Sequence, residues 1–279
     1  MNVLATPPPH PQRLVFLGTP QAAVAPLRAL HGAGFDIALV VTRADKRRER
    51  GAGASPSPVK EAATALGLPV SHAVNDVLDT GADLGVVVAF GLLIRRPVLE
   101  RLAFVNLHFS LLPRWRGAAP VERAILGGDT RTGVCLMAVE EALDTGAVYA
   151  RAETAIGADE TAEGLRGRLV TLGAQMLVTE LRNGLGRPTP QHGEPTYAAK
   201  LEPADLELLW DRPAAELARV VRVGGAWTTF RGKRLKVITA RVESGTLEPL
   251  VVQPESRGPM SYQDWRRGLR AAPSERLGS

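Results

Sequence analysis

Two polar side chains, Asn106 and His108, end an apolar run that begins at Phe104. Residues two apart on a strand point to the same face, so the amide and the imidazole would stand side by side. Ligands of parallel sheets bind beyond the carboxyl ends of the strands, which makes this pair a candidate for substrate binding. Because polar groups buried without partners cost free energy, the alternative is that both side chains only cap the next loop.

A carboxylate, Asp144, follows another apolar run and stands in a loop that ends at Gly146. Aspartate before Thr-Gly is most often a turn residue, so this position alone does not assign it to chemistry. No GxGxxG or Walker A sequence follows the first strand, and no GxSxG occurs. Cys135 lies in an apolar strand, which is typical of a buried, inert thiol. The five histidines lack metal-ligand spacing, so the sequence predicts no metal site.

The apolar runs that carry these residues are typical of a parallel sheet covered on both faces. Runs at 13–17 and 35–42 flank a helix that is expected to begin with Thr19 as cap and Pro20 as first residue, an order that implies a right-handed crossover. Further strands are expected at 84–90, 104–108, 133–139 and 148–152, and helices at 96–101, 120–126 and 160–185, the last capped by Asp159 or Thr161. The predicted fold class is α/β, a Rossmann-like parallel-sheet domain with a smaller C-terminal β-rich domain.

Composition and charge divide the chain into unequal parts. Residues 1–12 are Pro-rich and are expected to form a disordered leader, followed by the parallel-sheet domain at 13–185. A Pro-containing linker is expected at 186–205, and the β-rich domain, with a hairpin at 226–240, at 206–279. From Leu206 to Ser279 there are 13 Lys and Arg against eight Asp and Glu, so the net charge of +5 resides there. Such a domain favours a polyanionic partner, or has an incidental basic surface.

Five segments, in a fixed order, together resemble the formyltransferase family that uses 10-formyltetrahydrofolate. They are FLGTP (16–20), PSPVK (56–60), VVVAFGLLI (86–94), NLHFSLLPRWRGAAP (106–120) and LDTG (143–146). The resemblance spans about Arg13 to Leu181, and the segment 106–120 is its most specific part. The RWRGAAP continuation, with a basic β-rich domain after it, is similar to the members of the family that formylate methionyl-tRNA.

The resemblance implies a role for each of the three polar residues. His108 would donate a hydrogen bond to the formyl oxygen, Asn106 would help to hold that oxygen, and Asp144 would position and deprotonate the attacking amine. Formyl transfer passes through an oxyanion, so it needs donors and a fixed, dry site but no covalent nucleophile or metal. The folate pocket is expected to be lined, through backbone groups, by Ser110, Leu111, Leu112, Pro113, Phe90, Gly91, Leu92 and Leu93.

The resemblance also implies that the acceptor is initiator methionyl-tRNA. It further implies that the protein is a monomer and acts in the cytoplasm. The basic residues expected to contact the tRNA are Arg43, Lys46, Arg47, Arg48, Arg50, Arg114, Arg116, Arg231, Lys233, Arg234 and Lys236. The alternative for each is ordinary solvated surface. The C-terminal domain is shorter than that of the family by about one hairpin after Val242, so an OB-type barrel there would be shortened.

Two other functions stay open at this point. One is formylation of a nucleotide-linked amino sugar, by relatives that share the catalytic domain and carry strings similar to RWRGAAP. The other is tRNA binding by a relative whose transferase site has decayed. The intact Asn106, His108 and Asp144 favour an active enzyme, and the basic C-terminal domain favours tRNA over a sugar.

Overall fold

The structure, a computed structural model, describes residues 4–47 and 54–279. Within these ranges, the chain up to Ala198 forms the strands β1 (Arg13–Gly18), β2 (Asp36–Val41), β3 (Lys46–Arg47), β4 (Ala54–Ser55), β5 (Val70–Ser71), β6 (Leu84–Val88), β7 (Phe104–His108), β8 (Arg116–Gly117), β9 (Arg131–Ala138), β10 (Val148–Ala155) and β11 (Tyr197–Ala198). Seven of them form one sheet in the order β10-β9-β7-β6-β1-β2-β5. Of the others, β8 pairs with β11 and β3 with β4.

The middle of the large sheet is parallel, which confirms the predicted α/β class. β1 pairs in parallel with β2 and β6, and β6 with β7, while β9 runs antiparallel to β7. β6 is buried along its whole length and β1 along all but its first residue, as continuous apolar sequence predicts for strands covered on both faces. Gly18, Val88 and His108 end the three parallel strands at one edge of the sheet, which is where ligands of such sheets bind.

The core beneath this edge is built from the strands themselves. Val15, Leu17, Val87 and Phe104 belong to one cluster of buried side chains. The Phe104 ring lies across Gly85 of the neighbouring strand, where an added Cβ would come within 2.0 Å of it. Burial of a large apolar side chain stabilises the fold by about 1.5–3 kcal/mol, so this packing holds β6 and β7 rigidly together.

Helices connect the strands, and all except the one at Pro58–Ala65, which was not predicted, lie at the predicted places. They are α1 (Val24–Gly32), α2 (Pro58–Ala65), α3 (Arg96–Leu99), α4 (Pro120–Leu126) and α5 (Ala162–Asn183). The Gly164 amide donates to the Thr161 hydroxyl at 3.2 Å, which confirms one predicted cap of α5. The predicted cap of the first helix is wrong. The chain passes from Pro20 into a 3-10 turn at Gln21–Ala23, and Thr19 Oγ1 has no hydrogen-bond partner among the described residues.

Residues 4–12 lie along the sheet domain, which differs from the predicted disordered leader. The Ala5 amide donates to the Leu99 carbonyl at 2.9 Å, and the Leu185 amide donates to the Pro9 carbonyl at 2.7 Å. Pro11 is buried. Proline lacks an amide donor but keeps its carbonyl acceptor, so a Pro-rich segment still accepts hydrogen bonds from its neighbours.

Half of the predicted linker is built into the sheet domain. Thr189 forms a β-bridge with Val148, and β11 pairs in parallel with β8. We call residues 189–198 the strap. One compact unit comprises the chain up to Pro120, Arg131–Thr154 and Arg166–Ala198, and the second comprises Val121–Thr130, Ala155–Leu165 and Ala199–Ser279. The strap therefore belongs to the unit that holds the large sheet.

The second unit contains the small β-rich domain. Its strands are β12 (Trp227–Phe230), β13 (Lys233–Glu243), β14 (Thr246–Pro254) and β15 (Met260–Ser261), and its helices are α6 (Ala214–Val223) and α7 (Tyr262–Gly268). The four strands form an antiparallel sheet in sequence order, so the predicted hairpin β12–β13 is confirmed, while β14 was not predicted. Phe230, Leu235, Val252 and Trp265 form its core. With four strands in sequence order, the sheet is an open one and not a closed barrel.

None of the helices in the described part of the chain is long and apolar enough to cross a membrane.

Candidate active site

His108 is held in one orientation by the loop that follows β7. Its side chain is only 5% exposed, and Nε2 lies 2.9 Å from the carbonyl oxygen of Trp115. A carbonyl only accepts hydrogen bonds, so Nε2 is the ring nitrogen that carries a proton here. The other ring nitrogen, Nδ1, faces the carboxylate of Asp144 at 3.7 Å from Oδ2. The Trp115 carbonyl therefore fixes which edge of the imidazole points towards Asp144.

Asp144 reaches the same place from the turn between β9 and β10. Its backbone is left-handed, with φ = 53°, and its side chain is 10% exposed. Oδ2 accepts a hydrogen bond of 2.8 Å from the amide of Gly117. Oδ1 lies 3.5 Å from Nδ2 of Asn106, the longest hydrogen bond of the set. Oδ1 is thus the less strongly bound of the two carboxylate oxygens.

The side chains of Asn106, His108 and Asp144 converge without using up one another's hydrogen-bonding capacity. The distances from Asp144 to His108 and Asn106, 3.7 and 3.5 Å, are longer than those of strong hydrogen bonds. The Asn106 amide, the Nδ1 edge of His108 and one carboxylate oxygen are therefore directed at a shared space and remain available to a third group. Such an arrangement can donate to a developing oxyanion and accept a proton from an amine at the same time. The structure brings together all three residues that the sequence singled out.

Backbone groups of β8 and the residue before it complete the site, and the sequence did not reveal them. The Gly117 amide binds Asp144, and the Trp115 carbonyl binds His108. The strap holds this short segment: the Trp115 amide donates to the Thr196 hydroxyl at 2.9 Å and the Arg116 amide to the Thr196 carbonyl at 2.9 Å. Backbone groups are present in every residue, so only the resemblance of RWRGAAP to a known motif indicated that this segment matters.

A cavity of about 540 Å³ adjoins the three residues. Phe90, Gly91, Leu92 and Leu93, four of the residues expected to line a folate pocket, lie in its wall, together with Met137. Leu93 is 70% exposed, so the loop presents apolar side chains at an open surface. The Gly91 carbonyl accepts a hydrogen bond of 2.8 Å from Nη2 of Arg43. Arg43, which is expected to contact tRNA, thus supports the loop at the cavity.

The other four residues expected in a folate pocket, Ser110 to Pro113, are not among the residues that line this cavity. Ser110 is fully buried, and its hydroxyl donates to the Arg114 carbonyl at 2.6 Å, which shapes the turn before β8. Leu112 packs against Cys135 and other buried side chains. The Ser110 hydroxyl serves the loop and the Leu112 side chain turns into the core, so the expected contact of this segment with folate, through backbone groups, stays a prediction.

Cys135 is buried in β9, as predicted, and burial raises the pKa of its thiol. We expect Cys135→Ser to retain wild-type kcat, with a small loss of stability because a hydroxyl replaces an apolar thiol. The described residues also place no three His, Cys, Asp or Glu side chains together as metal ligands, so we expect activity to survive exhaustive chelation. Initial rates of the variant, and of the wild type with and without chelator, test both expectations. A chelated enzyme that metal restores would contradict the second.

The basic residues that are expected to contact the tRNA differ in the contacts that they make within the protein. Nε and Nη2 of Arg116 donate to Gln191 Oε1 at 3.1 and 2.7 Å, so this guanidinium serves the strap. Arg114 lies over the Trp115 ring at 4.4 Å. Lys46 and Arg47 form β3, which pairs with β4, and Arg48 and Arg50 lie outside the described residues.

The predicted basic hairpin β12–β13 is also partly engaged. Arg231 binds Glu275 through Nε at 2.6 Å and Nη2 at 2.8 Å, and this pairing lowers the pKa of Glu275 to about 2. The guanidinium of Arg234 lies 4.2 Å from the ring centre of Trp227. Lys233 and Lys236 are exposed. Arg231 is thus largely neutralised by its partner, and the remaining three cations carry the positive surface of the hairpin.

The comparisons with known proteins agree with the geometry. The profile of the formyl transferase family matches residues 12–181, which include Asn106, His108 and Asp144. The chain belongs to the formyl transferase family. It is 39% identical to the methionyl-tRNA formyltransferase of Jannaschia sp. over 94% of this chain and 98% of that protein. The family resemblance of the five motifs is therefore confirmed.

Solved structures of low sequence identity share the fold. The N-formyltransferase of Helicobacter canadensis, in a complex with folinic acid and dTDP-3-aminofucose, is 16% identical with a TM-score of 0.66, over 82% of this chain and 88% of that one. The methionyl-tRNA formyltransferase of Clostridium thermocellum is 15% identical with a TM-score of 0.57, over 87% of this chain and 98% of that one. At these identities the likeness supports the fold alone.

Proposed function

We propose that this chain transfers a formyl group from 10-formyltetrahydrofolate to the amino group of methionine on initiator tRNA, the reaction that prepares this tRNA for translation initiation. The observation that carries the proposal is the convergence of Asn106, His108 and Asp144 beside an open cavity, in a chain whose relatives at about 40% identity are methionyl-tRNA formyltransferases. These residues fit acyl transfer to an amine, which needs oxyanion donors and a proton acceptor but no covalent nucleophile.

The residues divide the reaction between them. Asn106 Nδ2 donates to the oxyanion that develops on the formyl carbon, and so does His108 Nδ1 when the ring carries both protons. Asp144 Oδ1 orients the amine and accepts its proton as the new bond from nitrogen to the formyl carbon forms. The bond from that carbon to the folate nitrogen breaks, and the proton passes to this nitrogen. Since Gly117 binds Oδ2, the carboxylate is held with Oδ1 towards the reacting atoms.

The cavity supports a folate as the donor. Its volume of about 540 Å³ is in the range of sites for small ligands, and its wall is mostly apolar with a few polar groups at one end. The loop from Phe90 to Leu93 offers apolar side chains for a flat ring system and backbone groups for its edges. We place the formyl carbon at the polar end, within reach of His108 and Asp144.

The proposal extends to the whole chain. We propose residues 13–185 with the strap as the catalytic domain, residues 206–279 as a tRNA-binding domain, and a monomer that acts in the cytoplasm. The excess of Lys and Arg after Leu206 supports the binding of a polyanion. Formylation of a nucleotide-linked amino sugar is the second candidate, because the Helicobacter enzyme binds such a sugar. That likeness is one of fold, whereas the methionyl-tRNA relatives match at far higher identity.

The test of the proposed function is transfer of labelled formyl to charged initiator tRNA. Elongator methionyl-tRNA and dTDP-3-aminofucose, each tested in a separate reaction, serve as alternative acceptors. We expect formyl-methionine on the initiator tRNA and at least ten-fold lower kcat/KM with the other two. Preferential formylation of the sugar would assign the chain to the second candidate, and no transfer to any acceptor would support a decayed site.

Neutralising the hairpin tests the tRNA surface. We expect the triple variant Lys233→Gln, Arg234→Gln, Lys236→Gln to raise the tRNA KM, because fewer phosphates are neutralised and fewer counterions are released on binding. The slope of log KM against log salt should fall by about one for each phosphate that the variant no longer neutralises, while the folate KM stays within two-fold. The measurement is the tRNA KM at several salt concentrations.

A control for this experiment lies on the same strand. Arg241 is paired with Glu248 at 3.0 and 2.9 Å, so Arg241→Gln should leave the tRNA KM and its salt slope nearly unchanged. Salt dependences of the triple variant that superimpose on the wild type would leave the hairpin as ordinary solvated surface. Variants of Lys46, Arg47, Arg48 and Arg50 extend the test to the basic loop, with Arg43 kept because it supports the cavity.

A further inference from the structure

Gln191 lies in the strap, and both the nitrogen and the oxygen of its side-chain amide form hydrogen bonds with residues of the site. Its Nε2 donates to the carbonyl oxygens of Asp144 at 2.9 Å and Gly146 at 2.8 Å. Its Oε1 accepts two hydrogen bonds from the guanidinium of Arg116. Two carbonyl acceptors on one side and a donor-only guanidinium on the other leave a single orientation for the amide, with its nitrogen and its oxygen both in use.

The turn that Gln191 binds, from Asp144 to Gly146, has a strained and closely packed backbone. Asp144 has a left-handed backbone, which costs free energy for a residue other than glycine. Gly146 lies so close to β9 that an added Cβ would be 2.0 Å from the Ala138 carbonyl oxygen. The Nε2 group spans the turn from one of these residues to the other. It therefore ties both ends of the strained turn to a single side chain.

The other end of Gln191 reaches the segment that holds the catalytic side chains. Arg116 lies in β8, between Trp115, which binds His108, and Gly117, which binds Asp144. Through Gln191, the guanidinium of Arg116 is connected to the backbone of Asp144. Asp144 is thus fixed to β8 twice, directly by the Gly117 amide and indirectly by the Arg116–Gln191 pair.

We propose that Gln191 is a positioning residue for the formyl transfer, which holds the Asp144 turn against β8 so that Oδ1 faces the reacting amine. This inference rests on the proposed function for its chemistry and on the strap for its geometry. Displacement of a catalytic group by about 1 Å can lower a rate by about 100-fold. Gln191 is not part of the cavity wall and binds only backbone atoms of Asp144, so it acts on turnover through the position of that residue.

Two substitutions separate this role from a merely structural one. Gln191→Leu removes the donors and the acceptor together. Gln191→Glu keeps the acceptor, and gains an ion pair with Arg116, but places a carboxylate against the carbonyl oxygens of Asp144 and Gly146. If Gln191 only anchored the strap to Arg116, Gln191→Glu would be as active as the wild type. If it holds the turn, Gln191→Glu should be impaired as much as Gln191→Leu.

We expect both variants to lower kcat about 10-fold or more, with the KM values for folate and tRNA within two-fold of the wild type. Gln12→Leu is the matched control, since Gln12 is exposed and precedes β1 at the opposite edge of the sheet. A Gln191→Glu enzyme with wild-type kcat would overturn the proposal. This test remains decisive even if Gln191→Leu does not fold.

A measurement without substrate keeps this inference distinct from the proposed function. Amide hydrogen exchange at Gly117 reports on its hydrogen bond to Asp144 in the full chain. We expect Gly117 to exchange at least ten-fold faster in both Gln191 variants and at the wild-type rate in Gln12→Leu. Wild-type exchange in a folded Gln191→Glu protein would overturn the positioning role. Failure of the wild type to formylate charged tRNA would overturn the proposed function and leave the exchange result intact.

Discussion

Replacing His108 or Asp144 should lower turnover by about 100-fold or more in a protein that remains folded. Loss of one oxyanion donor costs about 10²–10³ in rate, and Asp144→Asn removes the proton acceptor while an amide oxygen still accepts from Gly117. His108→Ala leaves the Trp115 carbonyl with only the Ser110 hydroxyl, at 3.5 Å, as a donor, so a modest loss of stability is expected as well. The measurements are kcat, both KM values, and the melting temperature of each variant.

The double variant gives the sharper result. Residues that act as one unit are not additive, so His108→Ala combined with Asp144→Asn should be about as slow as the worse single variant. Two independent roles would instead multiply the two losses. His31→Ala is the control, because His31 is exposed in the last turn of α1. Near-normal turnover in a folded His108→Ala enzyme would remove His108 from the mechanism.

Six of the seven strands of the large sheet were predicted because their signals are local, whereas the two-residue strand β5 was not. Continuous apolar runs such as 84–88 mark strands buried on both faces, and every strand predicted for the large sheet is present. The spacing of Asn106 and His108 placed both at the end of β7. The short strands β8 and β11 have no such signal, since two residues are too few to show a period. Their pairing depends on the strap, whose prolines are typical of a linker.

Gln191 shows why the rest of the site could not be predicted. Its partners Asp144 and Arg116 lie 47 and 75 positions away, and nothing in the local sequence PTPQHGEP distinguishes a structural glutamine from a solvated one. Arg43 and Arg116 were expected at the tRNA for their charge and their place in the motifs. The charge of a side chain can be read from the sequence, whereas its binding partner depends on which carbonyl or amide the fold brings within reach. The same holds for Arg231, which Glu275 neutralises.

Gly117→Ala should lower kcat at least 10-fold, although it adds a single methyl group outside the three catalytic side chains. Gly117 has φ = 120°, a conformation that L residues rarely adopt. An added Cβ would lie 2.8 Å from the carbonyl oxygen of Ala198, in the strand that pairs with β8. Either β11 moves away or the Gly117 backbone rotates, and both displace the amide that holds Asp144.

A matched glycine separates this effect from backbone strain. Gly34 also has a positive φ, 87°, but nothing lies within 4 Å of its added Cβ, and it precedes β2 at the amino edge of the sheet. Gly34→Ala should therefore cost about 1 kcal/mol of stability and leave kcat unchanged. Gly117→Ala should lose more stability and also lose turnover, with both KM values within about two-fold. Since Asp144 Oδ2 would then be released, its carboxylate could turn Oδ1 away from the amine. A folded Gly117→Ala enzyme with the kcat of Gly34→Ala would show that the Gly117 amide does not position Asp144.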